Sequence, residues 1–281
     1  MKLYLKIITL WIFAVCLPGC QESPVKQPQV VEGNVKSADG VPIHFMVRGN
    51  GDTALVFVHC WSCDSSYWQA QMDYFAADYR VVAIDLAGHG QSGMGRKDYT
   101  IPGFADDVER VIDSLDLKKV ILVGHSMGGS VVIETALRMP ERVTKLVAVD
   151  SFETKFQWPP ENKIAEVLAP FKSDFYKTTY QMVKSMFAPT ADPVIVQHIA
   201  DDMASAPPEV GISALTNIFK WVSGDYQKQR SRLKSSLIHI NAAQTNKPSA
   251  AEKVIVVQNV GHFIPQEAPD RFHAALKQAL Q

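Results

Sequence analysis

One turn constrains this chain more than any other feature. Val120–Val123 is a short apolar run, Gly124-His125-Ser126-Met127-Gly128-Gly129 follows at once, and Ser130–Met139 continues with apolar residues at helical spacing. A short apolar run closed by a glycine turn reads as a buried strand, and the period after it as a helix. G-x-S-x-G in that setting is a tight strand-to-helix turn with a strained serine backbone, which needs small residues two positions to either side. The turn lifts the Ser126 hydroxyl clear of the sheet and sets it at a helix N-terminus, where backbone N–H groups can hold an oxyanion. A glycine-rich turn with a capping serine shares that spelling, so the rest of the chain has to decide.

The same alternation runs through most of the length. Leu55–His59, Val81–Asp85, Leu146–Val149, Leu237–Ile240 and Val254–Val257 are short apolar runs, and Tyr67–Ala77, Ile101–Leu115 and Pro269–Leu280 are helical stretches between or after them. Val35–Ser37 and Ile43–Val47 flank Ala38-Asp39-Gly40, a hairpin signal. This pattern predicts an α/β fold whose central, mostly parallel sheet is flanked by helices on both faces. Residues 152–234 break the rhythm: they hold no convincing strand and carry apolar residues at helical spacing, such as Leu215, Ile218 and Phe219. They read as a helical cap inserted after the sixth strand, within one domain spanning 33–281. Apolar residues make up 47% of the 281, which excludes wholesale disorder. Lys and Arg total 28 against 29 Asp and Glu, so there is no electrostatic footprint for nucleic acid.

The first 32 residues stand apart. Lys2 and Lys6 border the apolar stretch Ile7–Val15, and Leu17-Pro18-Gly19-Cys20 follows. A short positive region before an apolar one is the layout of an export signal, too short for a membrane span. The end resembles the lipobox of bacterial lipoproteins. That resemblance implies a signal over 1–19, a lipid on Cys20, a polar tether over 20–32, and a place in the bacterial cell envelope with the lipid bilayer as partner. An ordinary secretory signal or an uncleaved anchor are the alternatives.

Three further motifs join the Ser126 turn in order. His59-Cys60-Trp61-Ser62 follows the third strand, Asp85-Leu86-Ala87-Gly88-His89-Gly90-Gln91-Ser92 follows the fourth, and Gly261-His262-Phe263 lies near the C-terminus. Together they resemble the α/β-hydrolase superfamily, in its capped, carboxylesterase- or lipase-like form. The resemblance implies Ser126 as nucleophile and His262 as base. It implies an oxyanion hole made by the N–H groups of Met127 and Trp61. The acid departs from the usual pattern. In most members it follows the strand before the histidine, but no Asp or Glu lies between Leu237 and Ala251. Some members place it one strand earlier, and there Asp150 directly follows Leu146–Val149. Asp150 with Glu153 also fits a helix-capping pattern. Asp150 as triad acid, Glu153 in that role, and no acid with Asn241 or water orienting His262 all stay open. Cys60 and Cys63 could be free thiols, a disulfide locking the oxyanion loop, a redox pair, or with His59 part of a metal site.

The expected activity is hydrolysis of a small-molecule ester-type bond (carboxylester, lactone or thioester) through a Ser-His-Asp triad. No cofactor or metal and no obligate protein partner is implied. Relatives of this fold with an aspartate nucleophile, the haloalkane dehalogenases and epoxide hydrolases, are disfavoured by Ser126. The alternative is a membrane-tethered binding protein on a decayed hydrolase scaffold.

Overall fold

The computed structural model describes residues 29–152, 158–242 and 253–281. The proposed signal over 1–19 and Cys20 lie outside them, as does Glu153. Eight strands form one sheet: β1 (Val31–Lys36), β2 (Pro42–Arg48), β3 (Ala54–Val58), β4 (Arg80–Ile84), β5 (Val120–His125), β6 (Val143–Val149), β7 (Ser236–Asn241) and β8 (Lys253–Val256). Their order is β1-β2-β4-β3-β5-β6-β7-β8. β2 runs antiparallel to β1 and β4, and every other neighbouring pair is parallel. β1 begins at Val31, so strand pairing starts two residues inside the stretch read above as a tether.

Alternate strand residues serve two different cores. Leu55, Phe57, Val81, Ala83, Val123 and Val147 pack with α1 (Gln69–Phe75) and with Phe272 and Leu276 near the C-terminus. Val56, Val58, Val82, Ile84, Leu122 and Ala148 pack on the other face, against α2 (Ile101–Ser114) and α3 (Met127–Arg138). Burial on both faces is why these strands read as unbroken apolar runs, not as alternating ones. Each Val, Leu, Ile or Phe side chain among them, fully buried, contributes about 1.5–3 kcal/mol.

α3 starts at Met127, three residues earlier than its apolar period suggests. Gly128 and Gly129 hide the first turn from a periodicity reading, yet close packing demands at least the first of them: a Cβ at Gly128 would overlap the Val58 carbonyl. Between β6 and β7 the described chain is helical. α4 (Ile164–Ser173), α5 (Phe175–Ser185), α6 (Pro193–Ala204), α7 (Pro208–Lys220) and α8 (Tyr226–Arg230) follow one another, with a π-turn over Trp221–Asp225 before α8. α9 (Ile264–Glu267) and α10 (Pro269–Leu280) close the chain.

The register decides what meets at the sheet edge. Val58 pairs with Gly124, His125 with Val149, and Val149 with Ile240. The loops after β3, β5, β6 and β7 therefore leave the same edge side by side. That carboxyl edge is where open α/β sheets build their sites.

Candidate active site

Ser126 sits between β5 and α3 with φ 53° and ψ −113°. A non-glycine residue at positive φ stores about 1–3 kcal/mol of strain and persists only where its surroundings over-determine it. Here they do. The Ser126 N–H donates to the Val149 carbonyl at 3.0 Å, and its carbonyl accepts from the Ser151 hydroxyl at 2.9 Å and from the Gly129 N–H at 3.0 Å. The turn is tight enough that a Cβ on Gly124 would overlap the Gly128 carbonyl.

Asp150 is the first residue after β6 and is itself left-handed, with φ 45°. Its N–H donates to the Ile240 carbonyl at 2.8 Å. Its side chain is 1% exposed, and both oxygens are engaged. Oδ1 accepts from the Ala242 N–H at 2.8 Å, and Oδ2 lies 2.8 Å from Nδ1 of His262. A carboxylate facing Nδ1 fixes the proton there and leaves the Nε2 lone pair as the basic site. The structure thus brings Asp150 to His262. It gives Asn241 no such part: Asn241 is fully buried, and neither side-chain polar atom has a partner among the described residues.

His262 is held by its backbone as well. Its N–H donates to the Met186 carbonyl at the end of α5, 2.8 Å away. Its carbonyl lies 2.9 Å from Nε2 of His125. A carbonyl only accepts, so His125 carries its proton on Nε2. Burial, followed by the nearby His262, pushes the His125 pKa down to about 3, and the ring is neutral at any ordinary pH. One residue earlier, the Gly261 N–H donates to both oxygens of Glu267 at 3.0 Å, and the same carboxylate accepts from Ala188 at 3.4 Å. Phe187 stacks on Phe263 with centroids 4.7 Å apart. The cap segment 186–188 is therefore built into the seat of the histidine.

Trp61 is also fixed from the cap. Its indole N–H donates to the Gly211 carbonyl of α7 at 2.8 Å, and Phe171 and Phe175 meet its ring edge-on. The backbone N–H groups of Trp61 and Met127 make no hydrogen bond to protein among the described residues. Cys60 and Cys63 are joined in a disulfide. His59 accepts from the Leu86 N–H at Nε2, 3.0 Å, and donates from Nδ1 to the Cys60 carbonyl, 2.7 Å. Burial holds its pKa below the usual histidine range, as this neutral form requires.

These groups border one cavity of about 390 Å³. Trp61, Ser126, Met127, Asp150 and His262 line its floor, and Met182, Met186, Leu215, Ile218 and Phe219 line its cap side. Among the described residues, none of those lining it is a Lys or Arg. Ser126, His262, Asp150, Trp61 and Met127, each singled out by motif, thus converge. The contributions of Ala242, His125, Glu267 and the Trp61 indole were not foreseen. Three are backbone or long-range contacts with no spacing signal, and His125 gave only its place beside Ser126.

A family model described as alpha/beta hydrolase fold matches residues 53–182. The chain is 29% identical over 243 residues to the dihydrolipoyllysine-residue acetyltransferase component of an acetoin cleaving system from Pseudomonas putida, covering 81% of this chain and 63% of that one. It is 35% identical over 143 residues to a pimeloyl-[acyl-carrier protein] methyl ester esterase from Yersinia pseudotuberculosis, covering 48% and 53%. The chain thus spans less than two thirds of the length of either relative. Among solved structures, a thermophilic esterase from Thermogutta terrifontis superposes with a TM-score of 0.76 at 21% identity, covering 89% of this chain and 98% of that one.

Proposed function

The chain carries the α/β-hydrolase fold, and from that premise we propose that it is a serine hydrolase of carboxylic ester-type bonds, held at a membrane of the bacterial cell envelope by a lipid on Cys20. The observation that carries the hydrolase reading is the 2.8 Å contact between Asp150 and Nδ1 of His262, in the cavity that also holds the strained Ser126. Ser126 Oγ attacks the substrate carbonyl while Nε2 of His262 takes the hydroxyl proton. The negative charge on the former carbonyl oxygen is met by the N–H groups of Met127 and Trp61. The intermediate collapses, His262 returns the proton to the leaving alcohol or thiol, and an acyl-serine remains. Water, deprotonated by His262, then releases the acid. Asp150 stabilises the imidazolium that forms in each half.

The cavity argues for the kind of acyl group. Among the described residues its cap side is lined mainly by apolar side chains, and an apolar acyl chain fits against them. The competing reading, a binding protein on a decayed scaffold, leaned on the missing carboxylate after β7. Asp150 beside His262 removes that support.

A fluorophosphonate probe tests the reading. The folded protein is expected to carry one covalent adduct, on Ser126, and absence of that adduct would sink the hydrolase proposal. A series of p-nitrophenyl esters of rising chain length, run beside lactones, then ranks substrates. The anchor is tested separately by metabolic lipid labelling of the full chain, with Cys20→Ser expected to abolish it.

A further inference from the structure

The loop after β3 carries more constraint than a connecting loop needs. Four residues, Cys60 to Cys63, are closed by the disulfide, and Trp61, whose N–H is one of the two proposed oxyanion donors, lies inside that ring. Ser62, next to it, has φ 53°, a left-handed conformation that costs a non-glycine residue about 1 kcal/mol or more. The Ser62 hydroxyl is buried and has no hydrogen-bond partner among the described residues, so its own side chain does not repay that conformation. Upstream the loop is pinned by His59, and the indole is pinned by Gly211. Neither pin acts on the backbone between Trp61 and Cys63. There the Cys63 N–H donates to the Cys60 carbonyl at 3.3 Å, and the disulfide adds the covalent closure of the same four residues.

We propose that the Cys60–Cys63 disulfide is the positioning device of the oxyanion hole, and that its reduction switches hydrolysis off. The inference rests on the reading of Ser126 as nucleophile. A dithiol reductant delivers two electrons and two protons: the Sγ–Sγ bond breaks, two thiols form, and the dithiol closes to its own disulfide. Two thiol sulfurs need van der Waals separation, and both cysteines are almost fully buried, at 2% and 3% exposure. The sulfurs can separate only by moving the loop. Ser62 then relaxes from its left-handed conformation and the Trp61 N–H turns away from the Ser126 turn. Substrate still enters the apolar cavity, whose cap side is untouched, so the loss falls on the transition state and not on binding.

The experiment compares three forms of the full chain: oxidised enzyme, enzyme reduced by a dithiol with both thiols verified by alkylation and mass spectrometry, and the Cys60→Ser/Cys63→Ser variant. Loss of one oxyanion donor costs about 10²–10³ in kcat, so a displaced donor is expected to lower kcat at least about tenfold with KM changed less than about threefold. Reoxidation restores the first form, and the variant is low and indifferent to reductant. A disulfide that resists the dithiol in the folded enzyme overturns the switch, and the variant then tests the positioning role alone; if the variant fails to fold, reduced wild-type enzyme decides. A kcat within about twofold of the oxidised value in the deciding form overturns the proposal, as does a loss that tracks a fallen melting midpoint with KM and kcat moving together. Oxidised enzyme that takes no phosphonate on Ser126 refutes the hydrolase reading instead, a result this comparison of redox forms cannot mimic.

Discussion

Two neighbouring strand ends in this molecule hold opposite kinds of residue. β6 is followed at once by Asp150, whose two carboxylate oxygens are both used, one by the Ala242 N–H and one by His262. β7 ends on Asn241, equally buried, whose amide has no partner among the described residues. The strands are parallel neighbours in register, Val149 beside Ile240. Either edge could therefore aim a carboxylate at the same imidazole. What differs is the backbone: Asp150 turns left-handed on leaving its strand, and Ala242, just past the next strand, supplies an amide to hold it. A fold of this kind specifies where the histidine stands, and the loops specify which strand feeds it. Ala242, the first residue after β7, serves Asp150 by its backbone N–H.

The largest effect expected is at the engaged end. In Asp150→Asn the amide cannot fix the Nδ1–H tautomer in the same way, and the proton moves to Nε2, where it faces Ser126 and blocks base catalysis. Turnover of the best ester substrate is expected to fall by about 10³–10⁴, with folding judged unchanged by melting midpoint. A kcat within about threefold of wild type would erase the contrast between the two strand ends, since His262 would then be oriented by something else.

How much of this could be read beforehand follows the range of the interactions. The strands and helices carrying Ser126, Asp150 and His262 are local patterns: four to six apolar residues, a glycine turn, a helical period. They survive in the sequence because double-sided burial demands them. The acid stayed open among Asp150, Glu153 and none, because choosing among them requires knowing that β6 lies between β5 and β7, a matter of pairing and not of spacing. β1 was read short because its burial pattern is mostly exposed, as for an edge strand, and Val31 and Glu32 carry no inward side chain to betray it. The start of α3 was hidden by glycines that close packing requires. The cap's helices were legible one by one, yet their grip on the site was not. Met186 acts through a carbonyl, Gly211 through another, and Glu267 through a carboxylate that meets amides 6 and 79 residues away. No residue type marks such contacts in advance.

Glu267 gives the intermediate effect. It joins the cap segment 186–188 to the residue before His262, without touching the cavity's reacting groups. Removing a carboxylate that accepts backbone N–H bonds leaves those donors unpaired and loosens the histidine's seat. Glu267→Ala is expected to lower kcat about tenfold with little change in KM, and Glu267→Gln, which keeps an acceptor oxygen, to recover most of it. Equal losses in both variants would mean that the charge, not the hydrogen bonds, is what matters. No loss in either would mean that the Asp150 end of the imidazole alone sets its position, which sharpens the contrast between the strand ends still further.

The smallest effect tests the idle end itself. If the Asn241 amide does nothing, it is a buried polar group whose hydrogen bonds to water have been lost and not replaced, at a cost of about 1–3 kcal/mol. Leu has nearly the same branched outline, so Asn241→Leu should remove that cost without opening a cavity. The melting midpoint is expected to hold or to rise, by the equivalent of about 1 kcal/mol, and kcat to stay within about threefold of wild type. The Ala242 N–H that supports Asp150 is a backbone group and is unaffected by the change. A variant that folds as well as wild type but turns over far more slowly would place the Asn241 amide in the working site. The two strand ends would then differ in degree and not in kind, because both would act through their side chains on the same imidazole.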